Sequence, residues 1–163
     1  MKASSVLILV GILSSAAFAQ EQKFDNSKLL PLVGEWQGTA AFHDTPQKAS
    51  SIKGAKMLND RWIKLDLKLE LPEAGPVEAT ALLNSDADGN IEAHFFASFD
   101  NGALVGKGKI DGKKLTIEAR PMNGEDGIVF VFDMSNPDEL KLTCTETTEE
   151  HPQVLSGTYK RKK

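Results

Sequence analysis

The chain has 163 residues, of which 40% are hydrophobic and 26% charged, with a formal net charge of −4 and a single cysteine. That length suits one domain with a sizeable core. The acidic balance, without a Lys/Arg stripe, argues against nucleic acid or an anionic lipid surface as partner.

Met1-Lys2, an apolar run from Val6 to Leu13, and Ala17-Phe18-Ala19 have the order of a secretory leader. The run is too short to span a bilayer. The sequence therefore predicts a signal peptide over residues 1–19, cleaved near Ala19-Gln20, and one folded domain over 20–163. It predicts a secreted or periplasmic protein. No cysteine follows the apolar run to carry a lipid, so no membrane anchor is expected.

Asp25, Asn26 and Ser27 are each able to cap a helix, but Pro31 and Gly34 limit it to a turn or so. Strand patterns then follow over Glu35–His43 and Gln47–Leu58, with Asn59-Asp60 as a tight turn. The clearest signal comes next. Ile63, Leu65, Leu67, Leu69 and Leu71 alternate with Lys64, Asp66, Lys68 and Glu70, burying one face of a strand and wetting the other. Pro72 ends it.

Further strands are predicted over Val77–Asn84, Ile91–Ser98, Ala103–Ile110 and Lys114–Arg120, separated by Asp-Gly, Asn-Gly and other turn-forming segments. Ile128 to Phe132 is apolar on both faces, which predicts a central or covered strand. Glu139–Thr147 and Gln153–Arg161 complete the set. Short turns between successive strands predict an all-β fold: a single antiparallel up-and-down β-barrel of about ten strands, preceded by a short helical turn.

Motifs of chemistry are sparse. Asp86-x-Asp88-x-Asn90 begins like a calcium loop, but Ile91 and Ala97 stand where glycine and the closing carboxylate are required, so a polar turn is expected. His43, His94 and His151 lie on separate segments without zinc spacing. His43-Asp44 reads as a solvated turn, and His94 alternates with Ile91, Ala93, Phe95 and Ala97, on whichever face those residues leave. Gly106-x-Gly108 lies inside a strand with no helix to receive a phosphate. Neither Gly-x-Ser-x-Gly nor Cys-x-x-Cys occurs, and no catalytic residue, metal or cofactor is predicted. Cys144 shares the register of Leu140 and Leu142, which predicts a buried, inert thiol; the closing Lys160-Arg161-Lys162-Lys163 reads as a solvated tail.

The two ends of the domain carry Leu32-Val33-Gly34-Glu35-Trp36-Gln37-Gly38 and Gly157-Thr158-Tyr159-Lys160-Arg161, and Leu104 to Thr116 forms a central hairpin pattern. Together these resemble a bacterial family of uncharacterised lipocalin-like proteins within the calycin superfamily. The resemblance implies a lipocalin-like barrel in which Trp36 plugs one end while Gly34 and Gly38 permit bending. A neighbouring haem-binding branch continues its first strand with glycines, where this chain has Thr39-Ala40-Ala41, and haem is the third reading.

The leading expectation is a barrel binding a small apolar or amphipathic ligand, with Trp36, Phe42, Leu65, Leu67, Leu69, Phe95, Phe130 and Leu142 as candidate interior residues. The same side chains suit an ordinary packed core. Ala79, Ala81, Ala93 and Ala97 either leave room or permit tight packing, and a filled barrel acting through its surface, around Phe96 or Trp62, is the alternative.

Overall fold

In the computed structural model, residues 24–163 are described except 44, 72–74, 99–101, 123, 125 and 148–153. The segment expected as a signal peptide, Asp44, the Pro72–Ala74 turn, Asp100-Asn101 and His151 therefore lie outside the described residues.

Alternation of apolar and polar side chains gives ten strands: β1 (Gly34–Phe42), β2 (Lys48–Met57), β3 (Trp62–Leu71), β4 (Gly75–Ser85), β5 (Asn90–Ala97), β6 (Ala103–Asp111), β7 (Lys114–Pro121), β8 (Ile128–Asn136), β9 (Glu139–Glu146) and β10 (Val154–Arg161). Each pairs antiparallel with its chain neighbours, and β1 pairs with β10 to close the barrel. Closure satisfies the backbone groups that an open sheet would leave on two edges. The predicted up-and-down barrel is the fold observed.

Two local expectations change. The strand opening at Ile128 runs on to Asn136, because Met134 continues the inward row of Phe130 and Phe132 before a register shift between Asp133 and Asn136. Its second apolar face has no covering layer among the described residues. Val129 and Val131 are half-buried on the outside, since a closed barrel gives every strand two neighbours and one wet face. The lead-in forms a 3₁₀ turn over Ser27–Leu32, but Asn26 at its start makes no side-chain cap. Its amide nitrogen instead donates to the Asp60 carbonyl (2.8 Å) and its carbonyl oxygen accepts from the Ser85 amide (2.8 Å). One side chain thus ties the lead-in to the β2–β3 turn and to β4. That turn places Leu58, Asn59 and Asp60 in successive left-handed conformations (φ 51°, 56° and 63°).

The 3₁₀ turn covers one barrel end. Leu29 and Leu32 are fully buried, and Trp36 is 2% exposed beneath them, donating from Nε1 to the Leu32 carbonyl (3.2 Å). Opposite it in the β1–β10 ladder, the Arg161 guanidinium lies 4.1 Å from the Trp36 ring centroid. Arg161 also donates to the carbonyls of Val33 (2.8 Å), Pro31 (2.8 Å) and Pro137 (3.1 Å). The terminal basic run is therefore not simply a solvated tail: Arg161 turns inward, while Lys160, Lys162 and Lys163 are exposed. Gly34, at φ +134°, lies where a Cβ would meet Arg161 Nη1 at 2.6 Å, and a Cβ at Gly38 would collide with the Thr158 carbonyl.

Above this plug lies Tyr159, fully buried. Its hydroxyl is 3.0 Å from Ser50 Oγ, which donates to the Lys68 carbonyl (2.9 Å). Ser50 has one proton to give, so Tyr159 is the donor in their pair. Gly157 makes room for the ring, since a Cβ there would stand 2.6 Å from the Tyr159 oxygen.

Replacing Arg161 with alanine removes the cation–π contact and three hydrogen bonds to carbonyls, and should lower stability by about 2–4 kcal/mol in urea titration. A loss under about 0.5 kcal/mol would show that the stack is ornamental. Gly157→Ala should cost about 1–3 kcal/mol through overpacking against Tyr159, and the Gly157→Ala/Tyr159→Phe pair should recover part of it.

Candidate functional site

The inward rows of the ten strands differ at the two ends. Around the plug they carry Ile63, Leu83, Ile91, Leu115, Ile117 and Leu140, each at most 3% exposed. Toward the other end the rows of β4 and β5 contribute Ala79, Ala81 and Ala97, and the wall falls short of the axis. What remains is a cavity of about 430 Å³ that opens at the barrel mouth. Its size falls in the range of small-molecule sites, about 300–1,000 Å³.

Seven of the eight predicted interior residues line it: Phe42, Leu65, Leu67, Leu69, Phe95, Phe130 and Leu142. Trp36 does not. It faces the interior at the closed end, bonded to the 3₁₀ turn and stacked on Arg161, so it is a plug residue. Phe95 and Phe130 stack face to face across the wall, with centroids 4.2 Å apart and planes within 8°. Of the small residues, Ala79, Ala81 and Ala97 line the space, whereas Ala93 is fully buried in the packed half. Phe96 points the opposite way from Phe95 and is 46% exposed at the rim.

Cys144 also lines the cavity, in the inward row of β9 with Leu142 and Glu146. The surface it retains faces that space. Burial alone pushes its thiol up to about 12, so it is neutral at physiological pH. Burial likewise raises Tyr159, against the opposing effect of its bond with Ser50.

Glu146 and Asp126 are polar groups of the lining that residue-by-residue reading missed. Glu146 was readable from alternation, since it lies two and four places beyond Cys144 and Leu142. Asp126 lies in a loop, where alternation says nothing.

The other motifs dissolve into structure. Asp86 accepts the amides of Asp88 and Asn90 (2.9 Å each) and the Asn90 side-chain amide (2.8 Å), bonds that hold its carboxyl below the usual range and shape the β4–β5 turn. His94 faces outward, its Nε2 3.2 Å from Glu92 and its ring against Trp62. His43 follows β1 at φ 52°, edge-on to Phe42. Among the described residues no three His, Cys, Asp or Glu converge as for a metal. Gly106 and Gly108 face the interior, where a Cβ would press on β7.

A depression of about 860 Å³ at the closed end, between Phe24, Lys56, Asp60 and Arg61, is larger but open to solvent. Its polar groups are already engaged, Lys56 with Asp60 (2.9 Å) and Asn26 with the Asp60 carbonyl. The apolar cavity at the mouth end is the candidate site.

Comparison with known proteins agrees with this architecture. The barrel is similar in fold to Rv2717c from M. tuberculosis, with a TM-score of 0.59 and 17% identity over 85% of this chain and 97% of that one. It is also similar to the S-type phycobiliprotein lyase CPES from Guillardia theta, with a TM-score of 0.56 and 13% identity over 82% of this chain and 89% of that one. Identities this low speak to the fold alone. No curated protein matches the sequence. Residues 25–161 match the family described as Protein of unknown function (DUF1579), and with nearly the whole barrel inside that match the chain belongs to this family.

Proposed function

We propose that this protein is a carrier or sensor barrel that takes a small apolar or amphipathic molecule into its open half, after export and removal of residues 1–19. The observation that carries the reading is the 430 Å³ cavity, walled by aromatic and aliphatic side chains at the end away from the plug. Filling it would remove apolar surface from water at roughly 25 cal/mol per Å². The alternative, a filled barrel working through its exterior, loses support because the interior is not filled.

Ala79 borders the cavity and is half-buried. Ala79→Leu should occupy ligand space while keeping the fold, with a melting temperature equal to or above that of the parent. Native mass spectrometry of the parent, purified from the periplasm, should show an added mass that disappears on denaturation and is absent from Ala79→Leu. A bare parent that also ignores apolar probes would overturn the reading. The same spectra test export, since the chain mass should correspond to a start at Gln20.

Cys144 gives an internal reporter. Because its thiol is neutral until pH approaches about 12, alkylation by maleimide at pH 8 should be at least tenfold slower than in denaturant. Folding raises this group, so its share of stability is complete below pH 9.0, where the unfolded thiol is also protonated, and is lost as pH climbs toward 12. Bound ligand should slow alkylation further. Rapid alkylation of the folded protein at pH 8 would place the thiol outside the cavity.

A further inference from the structure

The lining of the cavity is not neutral at its mouth. Glu146 occupies the last inward position of β9, continuing the row of Leu142 and Cys144, and is half-buried. Asp126 joins it from the segment before β8, whose first residue Ile128 pairs directly with Glu146. The two segments are pinned together by the Gly127 amide donating to Thr147 Oγ1 (2.9 Å) and the Thr147 amide donating to the Gly127 carbonyl (2.9 Å). Both carboxylates therefore stand on one side of the entrance.

Neither has a partner. Among the described residues, no ion pair or hydrogen bond reaches the carboxylate of Glu146 or Asp126. Among the described residues, the lining contains no lysine, arginine or histidine. Asp126 is exposed and keeps its water, but Glu146 is half-buried against the apolar wall, where a carboxylate without a cation loses hydration and gains nothing in return. Elsewhere on the barrel, exposed carboxylates such as Glu78 and Glu118 do find a cation, at 2.6 Å in both cases.

We infer that the ligand is a cationic amphipath: an apolar body seated against Phe95, Phe130 and Leu67, with a protonated amine held by Glu146 and Asp126 at the mouth. This rests on the proposed ligand-binding reading and sharpens it by excluding fatty acids and other anionic lipids as the preferred class. The space is that of roughly fourteen waters at about 30 Å³ each, which suits an apolar body of about a dozen heavy atoms.

The test uses probes matched in tail: dodecylamine, 1-dodecanol and dodecanoate, each below its aggregation limit, titrated calorimetrically into the full chain at about 0.15 M salt to screen distant charges. The expected order is amine, then alcohol, then carboxylate, with the amine about tenfold or more tighter than the alcohol. Glu146→Gln should bring the amine close to the alcohol, Glu146→Lys should reverse the order in favour of dodecanoate, and Glu70→Gln, on the outer face, should change nothing. Circular dichroism and melting confirm that each variant is folded. Equal binding of all three probes, or dodecanoate tightest, would overturn the charge inference while leaving the cavity a ligand site. An amine preference unmoved by Glu146→Gln would overturn it too, assigning the preference to net charge. Binding of none of the three would overturn both readings.

Discussion

The stack of Arg161 on Trp36 holds the two chain ends together and so holds the barrel closed. Trp36 belongs to the first strand and Arg161 to the last, and the pair faces inward at the one ladder that joins residues far apart in sequence. Every other ladder forms between neighbours connected by a short turn, where little loop entropy is lost. The β1–β10 ladder has to close a loop of the whole domain. A half-buried guanidinium over an indole face contributes about 1–2 kcal/mol, and its three bonds to carbonyls satisfy the end of the 3₁₀ turn and the β8–β9 loop. One residue thereby fixes closure, lid and register together.

A rigid closed half lets the open half remain unfilled. A cavity in a uniformly soft barrel would collapse, because its lining gives up dispersion contacts wherever no atom stands opposite. Here the walls of the open half continue strands that are anchored below by Tyr159, Leu140, Ile117 and Leu83, all fully buried. The Tyr159–Ser50–Lys68 chain of hydrogen bonds crosses from β10 through β2 to β3 and ties these walls together. The alanines of β4 and β5 then decide the volume: larger side chains at 79, 81 and 97 would reach toward Phe95 and Phe130.

Much of this was readable in the sequence. The period-two rows, the Asp-Gly and Asn-Gly turns and the Gly-x-Trp and Gly-x-Tyr-x-Arg ends led to a ten-stranded closed barrel, with strand ends off by a residue or two except at β8. Alternation also found seven cavity residues, because inward direction is a local property of a strand. It could not say how deep each one sits. Trp36 and Phe42 share a face on the same strand, yet one closes the barrel and the other borders the cavity, and that difference comes from what the 3₁₀ turn covers. Arg161 looked like one of four basic tail residues for the same reason. Its inward direction follows from alternation with Tyr159, but the carbonyls that receive it belong to Pro31, Val33 and Pro137, which only the closed fold brings there.

The central claim is that an apolar chamber persists above a packed plug, and xenon reports on it most directly, since the gas enters apolar voids without needing a matched shape or charge. A crystal of the protein under xenon pressure should show electron density between Leu67, Phe95 and Phe130, with the Trp36–Arg161 stack unchanged and no xenon below Tyr159. Side chains folded inward to fill that space, with no xenon bound there, would contradict the account.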